Sequence, residues 1–141
     1  MKENVPVATI MTKSVVKLNI TDSLSKAENL FKVHQIRHIP VVSKNEIVGM
    51  LSQTDLMKIG IPDFDEENEK LTSTVYNMFT IEQVMTKNVV CVTSFTTIKE
   101  VTKIFSENEF RALPVVYEGK LVGIVTTTDI IRYFLNHYSE F

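Results

Sequence analysis

The chain repeats itself at a fixed offset of 74 residues, with no gap. Met11-Thr12-Lys13 returns as Met85-Thr86-Lys87, Arg37 as Arg111, Pro40-Val41-Val42 as Pro114-Val115-Val116, Val48-Gly49 as Val122-Gly123, and Thr54-Asp55 as Thr128-Asp129. Aligning residues 10–60 with 84–134 gives 14 identities in 51 positions. Each copy spans only about 50–60 residues, which is marginal for an isolated domain. Two copies are therefore expected to pack apolar faces together about a pseudo-twofold axis. Clefts between such repeats are where ligands tend to bind. The expected division is repeat one over 1–60, an acidic linker over 61–79 and repeat two over 80–141.

Within a copy the periodicity changes from that of a strand to that of a helix and back. Val15 to Leu18 is short, apolar and largely β-branched, and reads as a strand. Thr21-Asp22-Ser23 offers helix caps, and Leu24, Ala27, Leu30 and Phe31 follow at helical spacing. The second copy keeps that stripe as Ile98, Val101, Ile104 and Phe105 after Thr96-Thr97. Proline disfavours helix in the residue before it, so the helix must end before Pro40. Val41-Val42 and Ile47 to Leu51 then read as a hairpin around Ser43-Lys44-Asn45-Glu46, matched by Leu121 to Val125 after Tyr117-Glu118-Gly119-Lys120. Thr54-Asp55 and Thr128-Asp129 open a second helix, whose last copy carries Ile130, Ile131, Phe134 and Leu135 as its expected apolar face. Each unit is β-α-β-β-α, giving an α/β (α+β) class. Residues Ile61 to Lys70 are polar and acidic and read as an exposed linker, while Leu71 to Phe79 is ambiguous.

Several function classes are excluded early. A net charge of −2 supplies no basic field for nucleic acid or anionic membrane. The longest apolar runs are too short to insert in a bilayer. Glycine occurs four times and never in clusters, so there is no phosphate loop. No Cys/His cluster suits zinc, and no nucleophile elbow is present. Cys91, the only cysteine, cannot form an intrachain disulfide and is expected as a small buried hydrophobe within a strand. The N-terminus shows no apolar signal segment, so a cytoplasmic setting is expected.

The chain resembles the tandem cystathionine-β-synthase (CBS) domain module. The resemblance rests on the Met-Thr opening before a strand, the apolar-x-Pro-Val-Val segment, and above all Gly-apolar-apolar-Ser/Thr-x-x-Asp. That last motif stands as Gly49-Met50-Leu51-Ser52-Gln53-Thr54-Asp55 and again as Gly123-Ile124-Val125-Thr126-Thr127-Thr128-Asp129. The likeness covers nearly the whole chain, in both copies and in order. It implies a module that binds adenosine-containing ligands between the copies, such as AMP, ADP, ATP or S-adenosylmethionine, with no cofactor required.

The candidate site residues follow from that likeness and from side-chain chemistry. Asp55 and Asp129 offer carboxylate oxygens to both ribose hydroxyls, or serve only their own helix starts. Ser52, Thr54, Thr126 and Thr128 can donate to phosphate or cap the helix. Arg37 and Arg111 suit phosphate oxygens. His38 adjoins Arg37 where the second copy has Ala112, so the two sites are expected to differ. Val16, Val90, Ile39 and Leu113, with the neighbouring Pro40 and Pro114, are candidates for an apolar adenine slot or for ordinary core.

The expected function is a non-catalytic sensor that forms a homodimer, with the C-terminal aromatics Tyr133, Phe134, Tyr138 and Phe141 as a candidate contact. The alternative is a ligand-independent interaction module acting on a separate enzyme or transporter. A small nucleotide-processing enzyme lacks any recognisable catalytic set.

Overall fold

The computed structural model describes residues 4–59 and 74–140. Of the expected acidic linker over 61–79, residues 61–73 lie outside the described residues. The chain divides into two compact units, Val16–Val89 and Met1–Val15 together with Val90–Phe141. By their place in the chain these are called the inner and outer units.

The inner unit runs β1 (Leu18–Asn19), α1 (Leu24–His34), β2 (His38–Ser43), β3 (Glu46–Ser52), α2 (Gln53–Ile59) and α3 (Ile81–Val84). The outer unit runs from a 3-10 turn (Val7–Thr9) to β4 (Val92–Thr93), α4 (Ile98–Glu107), β5 (Ala112–Tyr117), β6 (Lys120–Thr126) and α5 (Thr127–Asn136). Each unit holds one three-stranded sheet in the order β1-β2-β3 or β4-β5-β6. The first pair is parallel and the second antiparallel in both. The fold is mixed α+β, with the β-α-β-β-α order that the repeat implies.

Local chemistry sets these elements. Ser23 caps α1 by accepting from the Lys26 amide, and Thr97 caps α4 in a reciprocal box with Glu100. Lys44 and Asn45 both take positive φ, as do Glu118 and Gly119, so each hairpin turns in two left-handed residues whose twist suits the flanking strands. Leu24, Ala27 and Phe31 bury the inner face of α1 against Ile39, Val41 and Leu51. Ile98 and Val101 do the same against Leu113, Val115 and Val125.

The compact units are cut differently from the sequence repeats. Ile81 and Met85 open the second repeat, yet both lie in the inner unit's core. Val7 lies in the outer unit's core, with Val5, Ile10 and Met11 packed against it. Thr86 pairs with Met50 through both backbone groups, at 2.9 and 3.0 Å, which caps the outer edge of β3. Thr12 pairs with Ile124 on β6 in the same way and at the same distances. A Cβ on Gly49 would fall on the sulfur of Met85, and one on Gly123 would fall on the sulfur of Met11. The Met-Thr motif of each repeat thus seats on the glycine motif of the other.

Two expectations need correcting. Helix α5 turns Ile130 and Tyr133 inward, with Phe134 packed partly against the same core, while Ile131 and Leu135 are 58% and 68% exposed. One residue advances a helix by about 100°, so the neighbours of core residues land on the flank. Tyr133 is therefore core and Phe134 half-buried against it, while Phe141 lies outside the described residues. Strand β1 is also shorter than expected, for a reason that bears on the site. The ambiguous stretch resolves as helix at 74–77, with Tyr76 in the inner core.

Ile81→Ala should destabilise the protein by about 2–5 kcal/mol, as buried large-to-small changes do. Hydrogen exchange should show the loss of protection centred on β2 and β3, not on β5 and β6. Loss centred on β5 and β6 would contradict the exchange of segments.

Candidate ligand-binding site

The site begins with a proline. The outward amide and carbonyl of Met50 are taken by Thr86, so Met50 does not bond back to its partner across the hairpin, Pro40. The backbone nitrogen of Pro40 therefore faces the β1 side, where it has no hydrogen to donate. Parallel pairing starts only one residue later, at Leu18 with Val41. Val16 and Lys17 run ahead of the strand beside the start of β2. The outer unit repeats this with Ile124, Pro114 and Val92 opposite Val115, leaving Val90 and Cys91 ahead of β4.

The second wall is the start of a helix. Gln53 donates its amide to the Arg37 carbonyl at 2.9 Å, and Thr127 to that of Arg111 at 3.0 Å. These bonds hold each arginine against the first turn that carries the acid. In the inner unit Oδ2 of Asp55 accepts from the Ser52 amide at 2.9 Å, and Oγ of Ser52 accepts from the Asp55 amide at 3.1 Å. In the outer unit Oδ2 of Asp129 accepts from the Thr126 amide at 2.8 Å, and the Thr126 hydroxyl accepts from the Asp129 amide at 3.2 Å. Both are capping boxes, with the acid at the third helical position.

These boxes leave each acid half available. Among the described residues, the second oxygen, Oδ1, accepts no hydrogen bond in either unit, and both carboxylates are half-buried. An ionised carboxylate has about four acceptor sites, so a bound hydroxyl can be taken without undoing the cap. Arg37 and Arg111 are exposed, and neither forms an ion pair among the described residues. Thr54 and Thr128 are exposed on the same helical turns.

The apolar candidates separate. Ile39 and Leu113 are fully buried in the cores of their own units, as is Pro40 in the inner sheet and Pro114 in the outer one. Any role they have at a ligand falls to their backbone. Val16 is half-buried and Val90 is 47% exposed, so these two keep apolar surface for a planar ring. His38 is half-buried at the first position of β2, directly opposite Ser52, while Ala112 stands buried opposite Thr126. Cys91 is half-buried rather than fully buried and precedes β4 rather than lying in it. Burial pushes its thiol up. Sequence reasoning missed the tie from Gln53 and Thr127 to the arginines, because backbone bonds carry no side-chain signal. It also missed that Lys17 and Cys91 flank the prolines, which needed the strand register. Among the described residues no group of three His, Cys, Asp or Glu side chains could hold a metal ion, and no helix is long and apolar enough to cross a membrane.

Comparison with known proteins agrees with the fold and the repeat. Residues 7–61 and 81–136 each match the family model for the CBS domain. The Methanocaldococcus jannaschii protein MJ1225 is 31% identical over 130 residues, covering 92% of this chain and 42% of its own length. The chain therefore spans less than half of that relative. Among solved structures, CBSX2 of Arabidopsis thaliana in complex with AMP is 28% identical, with a TM-score of 0.78 over 95% of this chain and 98% of that one. The CBS domain pair of MJ0100, in complex with 5′-methylthioadenosine and S-adenosyl-L-methionine, is 27% identical, with a TM-score of 0.76 over 94% and 97%.

Thr126→Ala removes the hydroxyl half of the outer capping box and should cost about 1 kcal/mol in urea unfolding; an unchanged midpoint would mean that the box adds nothing. The raised thiol of Cys91 carries a sign that can be checked. The unfolded thiol ionises near about pH 8.5, before the folded one. Its stabilising contribution is whole below that pH and falls as pH rises through the folded value. Between pH 7 and 10 the wild type should lose stability relative to Cys91→Ser, and parallel curves would refute the burial effect.

Proposed function

The chain belongs to the CBS-domain family, and on that footing we propose that it is a non-catalytic regulatory module that binds an adenosine-containing ligand. The observation that carries this reading is the half-engaged acid. One oxygen of Asp55 or Asp129 fixes the carboxylate in the capping box, and the other accepts no hydrogen bond among the described residues. Ribose presents a pair of hydroxyl donors suited to that oxygen. Arg37 or Arg111, held on the adjoining turn, serves a phosphate on the 5′ carbon. Val16 or Val90 offers its apolar surface to the purine. The ligand is an adenine nucleotide (AMP, ADP or ATP) or S-adenosylmethionine, and the ligands of the CBSX2 and MJ0100 structures support that class.

Regulation follows if the ligand binds one arrangement of the protein more tightly than another, since equal affinity shifts nothing. We infer that the module works in the cytoplasm on an enzyme or transporter in trans, and that it forms a homodimer. The dimer reading rests on the exposed apolar row Ile131, Leu135 and Tyr138 along α5 and the turn after it. Sedimentation of wild type against Leu135→Glu should show a dimer and a shift toward monomer, and a wild-type monomer at high concentration would remove this part.

A thermal-shift series with AMP, ATP, S-adenosylmethionine and GTP tests the ligand class. A ligand at about 100 times its Kd stabilises by roughly 2.7 kcal/mol, which should raise the midpoint by about 5–10 °C in a chain of this size. Asp55→Asn and Asp129→Asn keep a carbonyl for the cap but lose the outward acceptor. The double variant should bind about 10- to 100-fold more weakly, the loss expected of a hydrogen bond to a charged group. Unchanged affinity would assign these acids to capping alone.

A further inference from the structure

We propose that Arg132 is a second phosphate-binding cation of the outer unit, so that the outer site takes a nucleoside diphosphate or triphosphate in preference to a monophosphate. This rests on the reading above, in which Asp129 holds the ribose and Arg111 serves the phosphate on the 5′ carbon.

The repeat singles out this residue. Among Asp, Glu, Lys and Arg, residues 10–60 and 84–134 keep the sign of charge at only four equivalent positions. They are Lys13 with Lys87, Arg37 with Arg111, Asp55 with Asp129, and Lys58 with Arg132. Two of the four are the acid and the arginine of the candidate site. Charges that serve their own helix behave otherwise. Lys26 pairs with Asp22 and Lys32 with Glu28, each at 3.1 Å. The second copy has Glu100, Thr96, Ser106 and Thr102 at those places. The paired charges are thus not repeated, and the repeated cations form no ion pair among the described residues.

Helix geometry sets Arg132 beside the acid. Helix α5 buries Ile130 and Tyr133, and Arg132 is exposed. It stands four residues after Thr128 and three after Asp129, so its Cβ lies about 5–6 Å from theirs. A helical side chain leans toward the N-terminus and covers the turn before its own Cα. The guanidinium can therefore reach back over Thr128 and Asp129, onto the turn to which the Thr127 amide ties Arg111. Among the described residues no ion pair joins Arg132 to Asp129, whose Oδ2 is engaged by the Thr126 amide. Lys13, the other repeated cation of this unit, leads elsewhere. Thr12 pairs antiparallel with Ile124, so the chain after it runs toward the start of β6 and away from Thr126. Two arginine forks match the oxygens of two linked phosphoryl groups, and a single phosphate occupies only one of them.

Calorimetric titration of the full chain with AMP, ADP, ATP, S-adenosylmethionine and inorganic pyrophosphate, in magnesium-free buffer, tests this. Asp55→Asn weakens the inner site, so the titration reads the outer one. ADP should bind there about tenfold or more tighter than AMP, the gain expected of a hydrogen bond to a charged group. Adding Arg132→Ala should bring the ADP-to-AMP ratio toward unity. Arg132→Lys, which keeps the charge without the fork, should restore part of it. Unfolding midpoints of both Arg132 variants establish that they fold. A ratio near unity before the change, or one that Arg132→Ala leaves unmoved, overturns the proposal while the adenosine reading stands. Binding of S-adenosylmethionine alone does the same. Pyrophosphate binding as tightly as ADP also overturns it, by making the arginines a general anion patch. If wild type binds none of the adenosine compounds, it is the adenosine reading that fails, and the proposal falls with it.

Discussion

The backbone bonds of Thr86 to Met50, matched by those of Thr12 to Ile124, fix the direction in which each central strand can use its polar groups. Once the outward groups of Met50 are taken, Pro40 must face the first strand, and a residue without an N–H cannot hold a parallel partner there. The sheet opens beside Val16 for that reason. The close seat of Met85 on Gly49 and of Met11 on Gly123 depends on the missing Cβ, so the glycines of the repeat serve that approach rather than a turn. Edge closure, the short first strand and the place of the candidate site all follow from this one arrangement.

The capping boxes show how a fold can hold a reactive acid at little cost. A carboxylate at the start of a helix satisfies an amide that would otherwise be orphaned, and the helix dipole favours its charge. One oxygen is enough for that work. The cap, worth about 1 kcal/mol, leaves the remaining oxygen without a hydrogen bond among the described residues. Capping and ligand contact were competing readings of Asp55 and Asp129. Because the two oxygens can act separately, the geometry makes the readings compatible.

Much of the fold was legible in the chain because it is local. Ser23 and Thr97 cap as their side-chain chemistry suggests, and Lys44-Asn45 and Glu118-Gly119 turn the hairpins between the expected strands. The acids, arginines and hydroxyls of the candidate site were also legible, as matched pairs. The partition of apolar residues was not. Ile39 and Val16 look equivalent as apolar neighbours of the site, yet one is wholly core and the other keeps surface. Likewise Ile130 and Ile131 differ only by one step around a helix, but one is core and the other exposed. Apolar character states a preference for burial, and only the packing assigns the partner.

The sequence by itself determined the β-α-β-β-α order, the caps, the turns and the doubling, since these depend on contacts within a few residues and on a repeat visible in the letters. It also set the difference between His38 and Ala112. Tertiary structure alone decided that residues 81–86 complete the inner unit and residues 5–12 the outer one. The two copies carry the same Met-Thr and glycine motifs, so either could receive either segment as far as local chemistry goes. The choice is made by which edge strand and which glycine the folded chain brings within reach, and that is a property of the whole path.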